Sequence, residues 1–367
     1  MRPQILLCAV LRVILERSEE SCRTAPLEDD KRARHRHYRT RNNTMNNKTS
    51  KTVYLILTAV LICTAVSGLF FGGAELTAAE VIDGLFAPEG TNAAIVRLVR
   101  LPRVLGAMLA GAGLALSGAI LQAVCDNPLA GPNIIGVNSG AGFAAVCVLA
   151  FLPQAAPALP FFAFIGALGA SLIIVYTARA AGGQRSSVIL AGIALTALLN
   201  AAISFINLLF DDVLIVYNSF SVGGLAGVFS EDLVFPAIMT AISLSLSLVL
   251  SRRISLLALG DECAASFGIN VRLLRITALI CASASAAAAV SFAGLIGFVG
   301  LAVPHIARKI TKRSLCFGAS AMLGAAILTL SDTLGRAIFA PSEIPVGIIT
   351  ALLGAPFFLY LLLKGSH

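Results

Sequence analysis

The sequence has little charge. Only 13% of its 367 residues are Asp, Glu, Lys or Arg, whereas 57% are hydrophobic. A soluble domain of this length needs far more charge to cover its surface, so the composition excludes that class. Apolar runs of about 18 or more residues recur along the chain instead, as they do in proteins that cross a membrane several times. We therefore predict an all-α polytopic membrane protein.

Metal-binding and catalytic patterns are also missing. The eight cysteines are scattered singly, without a CxxC pair or a Cys/His cluster, which argues against a zinc site and against a disulfide framework. After residue 44 the histidines are His305 and His367. We expect no catalytic residue, no metal site and no cofactor, and we predict that the chain is not an enzyme.

No predicted span carries a carboxylate near its centre. Ion-coupled carriers use such groups as relays, so their absence argues against a proton-driven carrier and against a membrane hydrolase. The sequence also lacks the Gly-rich loop with a Lys that holds nucleotide phosphates. Energy for transport would then come from another subunit. The residues alone leave a passive channel and a non-transporting membrane scaffold open as alternatives.

The first 44 residues differ from the rest of the chain. They hold ten Lys or Arg and six Asp or Glu, have no sustained apolar period and show no small-residue cleavage site, unlike a signal peptide. Met45 then opens a short basic head that leads into an apolar run. We predict that 1–44 is a disordered extension or a mis-called start, with a basic cytoplasmic arm as the alternative. Residues 45–367 are predicted to form a single transmembrane domain.

Ten apolar segments are candidate membrane helices. They are 53–72, 102–124, 133–152, 159–178, 187–210, 234–251, 273–291, 293–307, 315–339 and 345–363. Cytoplasmic loops carry an excess of Lys and Arg. If the chain starts inside and alternates, thirteen of the seventeen cations after residue 44 fall in inside loops and four fall outside. This distribution predicts about ten spans with both termini in the cytoplasm.

Three of the four outside cations lie close together. The stretch RLVRLPRVLG, 97–106, places Arg97, Arg100 and Arg103 at intervals of three residues, so a helix would present them on one face. Arg336 is the fourth. Cations are disfavoured on this side of a membrane, so we expect these four to have a specific use. Anchoring to lipid phosphates is the alternative.

Two helical stripes lie within the predicted spans. The first consists of small residues at four-residue steps, which predicts close packing between helix backbones. Its members are Ala107, Gly111, Ala115 and Ala119. The second is polar and lies in 187–210, where contact with lipid would be costly. It either bonds to neighbouring helices or lines a wet path, and its members are Thr196, Asn200, Ser204 and Asn207.

The longest inside connection is LALGDECAASFGINVRLLR, 257–275, and it is more apolar than a loop should be. Gly260 and Gly268 punctuate it, which predicts two short helices with a turn between them. An apolar knob rimmed by charge on the cytoplasmic side is typical of a docking surface. A surface helix packed against its own bundle is the alternative.

Three further stretches contain turn formers or prolines. In QAVCDNPLAGPNIIGVNSGAGF the pair Asn127-Pro128 suits an ordinary turn between two spans. In GLIGFVGLAVPHIAR we expect Pro304 to break a helix near its cytoplasmic end, beside His305 and Arg308. In RAIFAPSEIPVGIITALLGAPFFLYLL Pro341 and Pro345 shape an outside loop, and Pro356 lies within the last span.

These stretches, in this order, resemble the FecCD-type permease subunits of ferric-siderophore and cobalamin ABC importers. The resemblance covers about residues 50–365. The matching residues are Arg100-Leu-Pro-Arg103, Gln122, Asn127-Pro-Leu-Ala130, Pro132, Gly136, Gly140-Ala141, the Leu259-Gly260 to Gly268 segment, Gly300-Leu, Pro304-His305, Arg308, Glu343-Ile-Pro-Val-Gly347 and Gly354-Ala-Pro356-Phe.

The resemblance implies a ten-span permease in the bacterial cytoplasmic (inner) membrane. It implies a second permease chain, either a copy or a paralogue, and two cytosolic ATP-binding subunits that hydrolyse ATP. An extracytoplasmic binding protein would deliver the substrate. That substrate is expected to be an iron(III)–siderophore complex, with cobalamin or haem as alternatives, and nucleic acid is not expected as a partner.

The resemblance also implies roles for particular residues. Arg100, Arg103 and Arg336 match positions that pair with carboxylates of the binding protein, and we add Arg97 because it shares their face. The implied ATPase-coupling residues are Leu259, Gly260, Asp261, Glu262, Ala264, Ala265, Phe267 and Gly268. The polar stripe of 187–210 is predicted to line the translocation path. The implied structural motif residues are Asn127, Pro128, Pro132, Gly136, Pro304, His305, Arg308, Pro345, Gly347 and Pro356.

Overall fold

The structure is a computed structural model that describes residues 47–74, 76–86, 90–181, 185–257, 260–313, 315–338 and 342–365. The predicted extension 1–44 lies outside the described residues. Lys48–His367 form one compact unit. Every regular element in the described ranges is helical.

Thirteen helices, α1 to α13, follow one another along the described ranges. They are α1 Asn47–Phe70, α2 Ala78–Phe86, α3 Thr91–Val124, α4 Val137–Phe151, α5 Leu159–Ala180, α6 Arg185–Leu209, α7 Asp211–Val222, α8 Val234–Leu257, α9 Asp261–Ser266, α10 Val271–Ala293, α11 Val299–Thr311, α12 Phe317–Ala337 and α13 Val346–Gly365. Short 3-10 helices occupy Pro132–Ile135, Pro153–Ala158 and Glu231–Leu233.

Ten of these helices coincide with the ten predicted segments, and the all-α membrane class is confirmed. Seven are long and apolar enough to cross a membrane by length and composition, namely α1, α3, α5, α6, α8, α10 and α12. α4 and α13 are shorter apolar helices. α11 has only 13 residues and is the weakest of the ten. We call the end of the bundle near Arg103 the outer end and the end near α9 the inner end, following the predicted orientation.

The centre of the bundle is built from helices rich in small residues. In their most apolar stretches α3 is 78% buried and both α10 and α12 are 72% buried, whereas α1 and α6 are only 17% buried. α3 and α12 approach so closely that a Cβ added at Gly111 would overlap the carbonyl oxygen of Gly324, and the reverse also holds. The close packing predicted from the small-residue stripe is confirmed.

α7 was not predicted from the sequence. Two acidic residues, Asp211 and Asp212, open this helix and interrupt the hydropathy signal. The helix forms because its Val213 and Tyr217 are buried in a small cluster with Ile203 and Ile206 of α6. Packing of an amphipathic face therefore stabilises a short helix that its composition does not favour.

The prediction that Pro304 breaks a helix is wrong, because α11 continues from Val299 to Thr311 through that proline. A proline in a helix frees the carbonyl four residues earlier, here that of Gly300. That carbonyl lies so close to α3 that a Cβ added at Gly118 would overlap it. The neighbouring carbonyl of Leu301 accepts a hydrogen bond from Nε2 of Gln122 at 3.1 Å. Contacts with α3 thus support the helix where its own bonding is interrupted.

Candidate functional site

At the outer end, two of the predicted docking arginines bond to the ends of neighbouring helices. Arg97 donates from Nε and Nη2 to the carbonyl oxygen of Leu85, at 3.1 and 2.7 Å, in the last turn of α2. Arg100 donates to the carbonyl oxygens of Leu69 and Ala74, at 2.7 and 2.6 Å, where α1 ends. The last carbonyls of a helix lack intrahelical donors, and cations are favoured there. Both arginines therefore close helix ends.

The N-terminus of α2 is capped by side chains as well. The amide nitrogen of Thr77 donates to the carboxylate of Glu80 at 2.7 Å, and the Thr77 hydroxyl donates to the same oxygen at 2.8 Å. This is a capping box, in which a side chain satisfies an otherwise unpaired amide. The bonds from Thr77 hold the pKa of the Glu80 carboxyl below its ordinary value.

The other two arginines belong to a set of ion pairs that we call the outer charge cluster: Arg103, Asp332, Arg336 and Glu343. Arg103 donates from Nε to both oxygens of Asp332, at 3.1 and 3.2 Å, and from Nη1 to Glu343 at 2.6 Å. Arg336 donates from Nε to Asp332 at 3.0 Å and from Nη2 to the carbonyl oxygen of Gly68. The cluster ties α1, α3 and α12 to the segment before α13.

Most of this cluster is buried. Asp332 is 1% exposed, Arg336 2% and Arg103 7%, and Arg100 beside them is 3% exposed. The Glu343 side chain, at 38% exposed, is open to the exterior. A buried charge is tolerated when it is paired and hydrogen-bonded. Docking by these arginines stays a prediction, and the structure gives each of them an internal partner as well.

Sequence reasoning missed Asp332 as a partner of the arginines. It is the one carboxylate in the predicted segment 315–339, and it lies four residues before Arg336. That spacing favours an ion pair along a helix. This spacing could therefore have predicted the pair between Asp332 and Arg336 on the same helix, but it could not have predicted the pair between Asp332 and Arg103.

A cavity of about 600 Å³ opens beside the cluster at the outer end. Helix α7, the end of α10 and the segment before α13 enclose it. Its wall includes Arg103, Glu343, Asn218, Phe220 and Phe292. The backbone amide of Gly224 donates to the carbonyl oxygen of Ala293 at 2.9 Å and joins two sides of the wall.

The polar stripe of α6 is not one uniform face. Thr196 accepts a hydrogen bond from Ser139 of α4 at 3.3 Å. Asn200 and Ser204 are exposed. Asn207 is half-buried, and its buried Oδ1 has no hydrogen-bond partner among the described residues. Of the four residues in the stripe, Asn200 and Ser204 are therefore exposed, on a helix that is among the least covered of the long helices. Its role in translocation stays a prediction.

At the inner end, one short helix replaces the two that were predicted. α9 spans Asp261–Ser266, and α10 begins at Val271, where the Asn270 side chain accepts a hydrogen bond from the Leu273 amide. Leu259 lies outside the described residues. Because only six residues separate the turn at Gly260 from the one near Gly268, there is room for one helix between them.

The predicted knob is partly apolar and partly used inside the chain. Ala264 is fully buried in the core, where α9 packs against its own bundle. Phe267 is 59% exposed. Gly260, Asp261, Glu262, Ala265 and Gly268 complete the described part of the segment, and all but the half-buried Gly260 are exposed. Ala264 therefore anchors α9, while Phe267 provides exposed apolar surface.

The motif loop after α3 is a set of tight turns. The Asn127 side chain accepts a hydrogen bond from the Leu129 amide at 2.9 Å, and the residue between them is Pro128. Pro132 opens a 3-10 helix, and Gly136 follows it with φ of 68°, a value that favours glycine. The structural role of these residues stays a prediction.

The later motif residues lie where helices meet. His305 packs its ring edge-on against Phe357, and its buried Nε2 has no hydrogen-bond partner among the described residues. Arg308 is half-buried in the same helix. Gly347 donates its amide to the carbonyl oxygen of Gly223, just after Pro345. Pro356 lies inside α13, which continues past it.

Comparison with known families decides what this arrangement is. A family model for the FecCD transport family matches residues 57–364. The chain belongs to the FecCD transport family.

Relatives of known systems match nearly end to end. The Fe(3+)-citrate import system permease protein YfmE of Bacillus subtilis is 38% identical over 325 residues, which are 88% of this chain and 98% of that protein. The hemin transport system permease protein HmuU of Yersinia pestis is 36% identical over 322 residues, covering 84% and 96%. A metal-chelate type ABC transporter solved in an inward-facing conformation matches with a TM-score of 0.75 and 30% identity, covering 86% of this chain and 99% of that one.

The FecCD match confirms the family resemblance that the motifs predicted. It spans every described helix from α2 to α12, and with them the outer charge cluster, the outer cavity and α9. The two ends of this FecCD-family bundle therefore differ in chemistry: buried ion pairs beside a cavity at one end, and a short exposed helix at the other.

Proposed function

We propose that the chain is the membrane-spanning permease subunit of an ATP-driven importer and that it translocates an iron(III) chelate across the bacterial cytoplasmic membrane. The observation that carries this is the FecCD match over residues 57–364. Its relatives are named as permeases for Fe(3+)-citrate, achromobactin, hydroxamate and hemin systems. These ligands share chelated iron and little else. The relatives therefore support iron chelates as the substrate class more strongly than they support any one chelate. An iron(III)–siderophore complex is the primary substrate, with cobalamin or haem as alternatives.

The inner end supports an ATPase partner. Phe267, the residue that follows α9, exposes its aromatic ring near the charges of Asp261 and Glu262 at the start of that helix. An exposed aromatic residue in a charged rim is typical of a surface that another protein covers. We assign this surface to a cytosolic ATP-binding subunit, and a pair of permease chains would bind two of them. ATP hydrolysis takes place in those subunits.

The outer end supports a binding-protein partner. Arg97 is the most accessible of the four predicted docking cations, and Arg103 already holds Glu343. A carboxylate of the binding protein would pair with Arg97 directly and would compete with Glu343 for Arg103. Pairs at an interface rim chiefly speed encounter and fix orientation. Arg100 and Arg336 support this surface from beneath.

The open face of α6 supports a second permease chain. Asn200 and Ser204 are exposed on a helix that is only 17% buried in its most apolar stretch. Polar groups on such a face are costly against lipid. A second chain, identical or paralogous, would cover this face and place the polar stripe along the translocation path between the two chains.

The test is purification of the permease from its native membrane, followed by reconstitution in lipid vesicles with every subunit that accompanies it. Iron-55 uptake is measured with ferric citrate, a ferric hydroxamate and hemin, each with and without ATP inside the vesicles. We expect an accompanying ATPase and uptake of one chelate class that requires ATP. Uptake that proceeds equally without ATP would indicate a passive channel. The absence of any ATPase partner would reject the proposal.

A further inference from the structure

α9 lies between two glycines, Gly260 and Gly268, which we call its hinges. Gly260 has φ of 106° and Gly268 has φ of 76°, both in the region that favours glycine. A Cβ added at either residue would meet nothing within 4 Å, so neither hinge is packed. A helix of six residues is too short to be stable without tertiary contacts. The contacts of α9 with the bundle therefore decide how it can move.

The contacts that tie α9 to the bundle include a buried side chain and an ion pair. Ala264 is fully buried in the core. On the first turn of α9, the carboxylate of Asp261 faces Arg275 of α10, whose Nη2 lies 2.9 Å from both oxygens. The Arg275 side chain is 10% exposed, and that of Asp261 is 49% exposed. The ion pair thus joins an exposed short helix to a guanidinium that is fixed within the bundle.

Open space lies on one side of this pair. A cavity of about 690 Å³ separates α9 from the inner ends of α5 and α6. Asp261 and Arg275 are at its edge, and Val175, Val188 and Leu279 are on its apolar wall. A force on α9 could tilt the helix into this space about its glycine hinges without moving the bundle. The ion pair opposes that tilt, because it fixes the first turn of α9 to α10.

α10 connects the inner end to the outer cavity. It runs without interruption from Val271 to Ala293, and Phe292 near its last turn lines the outer cavity. Most of its length is buried in the bundle centre. A displacement of its first turn is therefore carried along a packed helix to the outer end.

We propose that Arg275 is a positioning residue for transport: through its ion pair with Asp261, it makes α9 and α10 move together. A movement that the ATPase imposes on α9 then displaces α10 and changes the outer cavity, instead of only tilting α9 into the inner cavity. This inference rests on the proposed function, because it needs an ATPase that acts on α9. It adds a specific pair to the coupling segment and a role to Arg275, which the sequence motifs did not include.

The test uses the complete complex in lipid nanodiscs with a reporter at the far end of α10. The Phe292→Cys variant is treated with a water-soluble maleimide, with and without ATP plus vanadate, and peptide mass spectrometry measures labelling at residue 292. ATP hydrolysis is measured on the same sample. With native Arg275 we expect the nucleotide to change the labelling rate. In Arg275→Gln we expect hydrolysis to continue while that change shrinks roughly fivefold or more, the usual size of an allosteric coupling.

Three further variants make the result specific. Arg272→Gln removes an exposed guanidinium from the same turn of α10 and should keep the full nucleotide response. Arg275→Lys keeps a cation and should keep most of the response, which covers the case in which Arg275→Gln does not insert. The exchange of Asp261→Arg with Arg275→Asp should restore the response that either single change removes.

Each contrary outcome is distinct. A full nucleotide response in Arg275→Gln would overturn the proposal and leave the proposed function intact. Loss of ATPase binding in Arg275→Gln would also overturn it, because the pair would then shape the docking surface instead of transmitting movement. A failure of the exchanged pair to restore the response would count against a direct ion-pair role. If the unmodified chain binds no ATPase, it is the proposed function that fails.

Discussion

The guanidinium of Arg103 and the carboxylate of Asp332 are 229 positions apart in the sequence, yet they lie 3.1 Å apart in a buried ion pair. The pair joins α3 to α12, the two helices that make backbone-close contact at the bundle centre. Because Asp332 also accepts from Arg336, one carboxylate pairs with two buried cations, and Glu343 supplies the second negative charge through its bond with Arg103.

Loss of the Asp332 charge should destabilise the fold. Asp332→Asn leaves two buried guanidinium groups without their shared carboxylate, and truncation of one partner in a buried pair costs about 3–5 kcal/mol. The change in the free energy of unfolding is measured on the purified chain in detergent, where the loss of the helical circular dichroism signal reports unfolding. Asp212→Asn removes an exposed carboxylate at the start of α7 and should shift stability by only about 0.5 kcal/mol. Equal stability of the two variants would contradict the structure.

The predicted docking arginines should separate into two groups. Arg97→Glu should slow association with the binding protein and weaken its salt dependence, because Arg97 is the most accessible of the four. Surface plasmon resonance at several NaCl concentrations tests this, with Arg252→Glu at the inner end as the control. Arg103→Glu should instead impair folding, since it places a third carboxylate beside Asp332 and Glu343. Normal folding of Arg103→Glu would show that the internal pairs are dispensable.

Phe267 should contribute to ATPase binding. Phe267→Ser removes the exposed ring at the end of α9. Loss of an aromatic anchor at an interface costs more than about 1 kcal/mol, so we expect binding to weaken by more than about fivefold. Titration of the permease in nanodiscs with purified ATPase subunits measures this. Tyr176→Ser is the matched control, because Tyr176 is a similarly exposed aromatic residue near the inner end of α5. If both variants bind the ATPase as tightly as the native chain, α9 is not its docking surface.

Replacement of a glycine by alanine at the α3–α12 crossing should destabilise the fold. Gly111→Ala overlaps the Gly324 backbone, and overpacking of this kind costs about 1–3 kcal/mol. Gly169→Ala in α5 meets no atom within 4 Å and should be neutral or stabilising, since alanine favours helix by about 1 kcal/mol over glycine. Detergent-induced unfolding of the two variants gives a direct comparison. A stable Gly111→Ala protein would mean that the helices can separate at this point.

Hydropathy located the ten main helices, and seven of them in the described part of the chain are long and apolar enough to cross a membrane. It could not predict α7, whose two opening acids lower its hydropathy and whose stability comes from contacts with α4 and α6. Local proline chemistry was misleading at Pro304, because contacts with α3 support α11 through the interruption.

The charged residues show the same limit more sharply. Spacing alone predicted that Arg97, Arg100 and Arg103 share one helical face. In the structure Arg97 and Arg100 lie in a π-helical stretch of α3, Ile95–Arg100, and Arg103 lies in the α-helical part that follows. Their partners depend on which helix ends and carboxylates the fold brings near, and those lie from about 12 to 240 positions away. The sequence pattern therefore indicated that these cations matter, but not that their bonds are made inside the chain. Asp261 and Arg275, 14 positions apart, were missed as a pair for the same reason.

The crossing of α3 and α12 has a consequence for the route of the cargo. Where the backbones of Gly111 and Gly324 touch without space for a single methyl group, nothing as bulky as a chelated metal can pass between α3 and α12. On the proposed function, the cargo would therefore travel along the flank of the subunit, at a seam that a second permease chain would share.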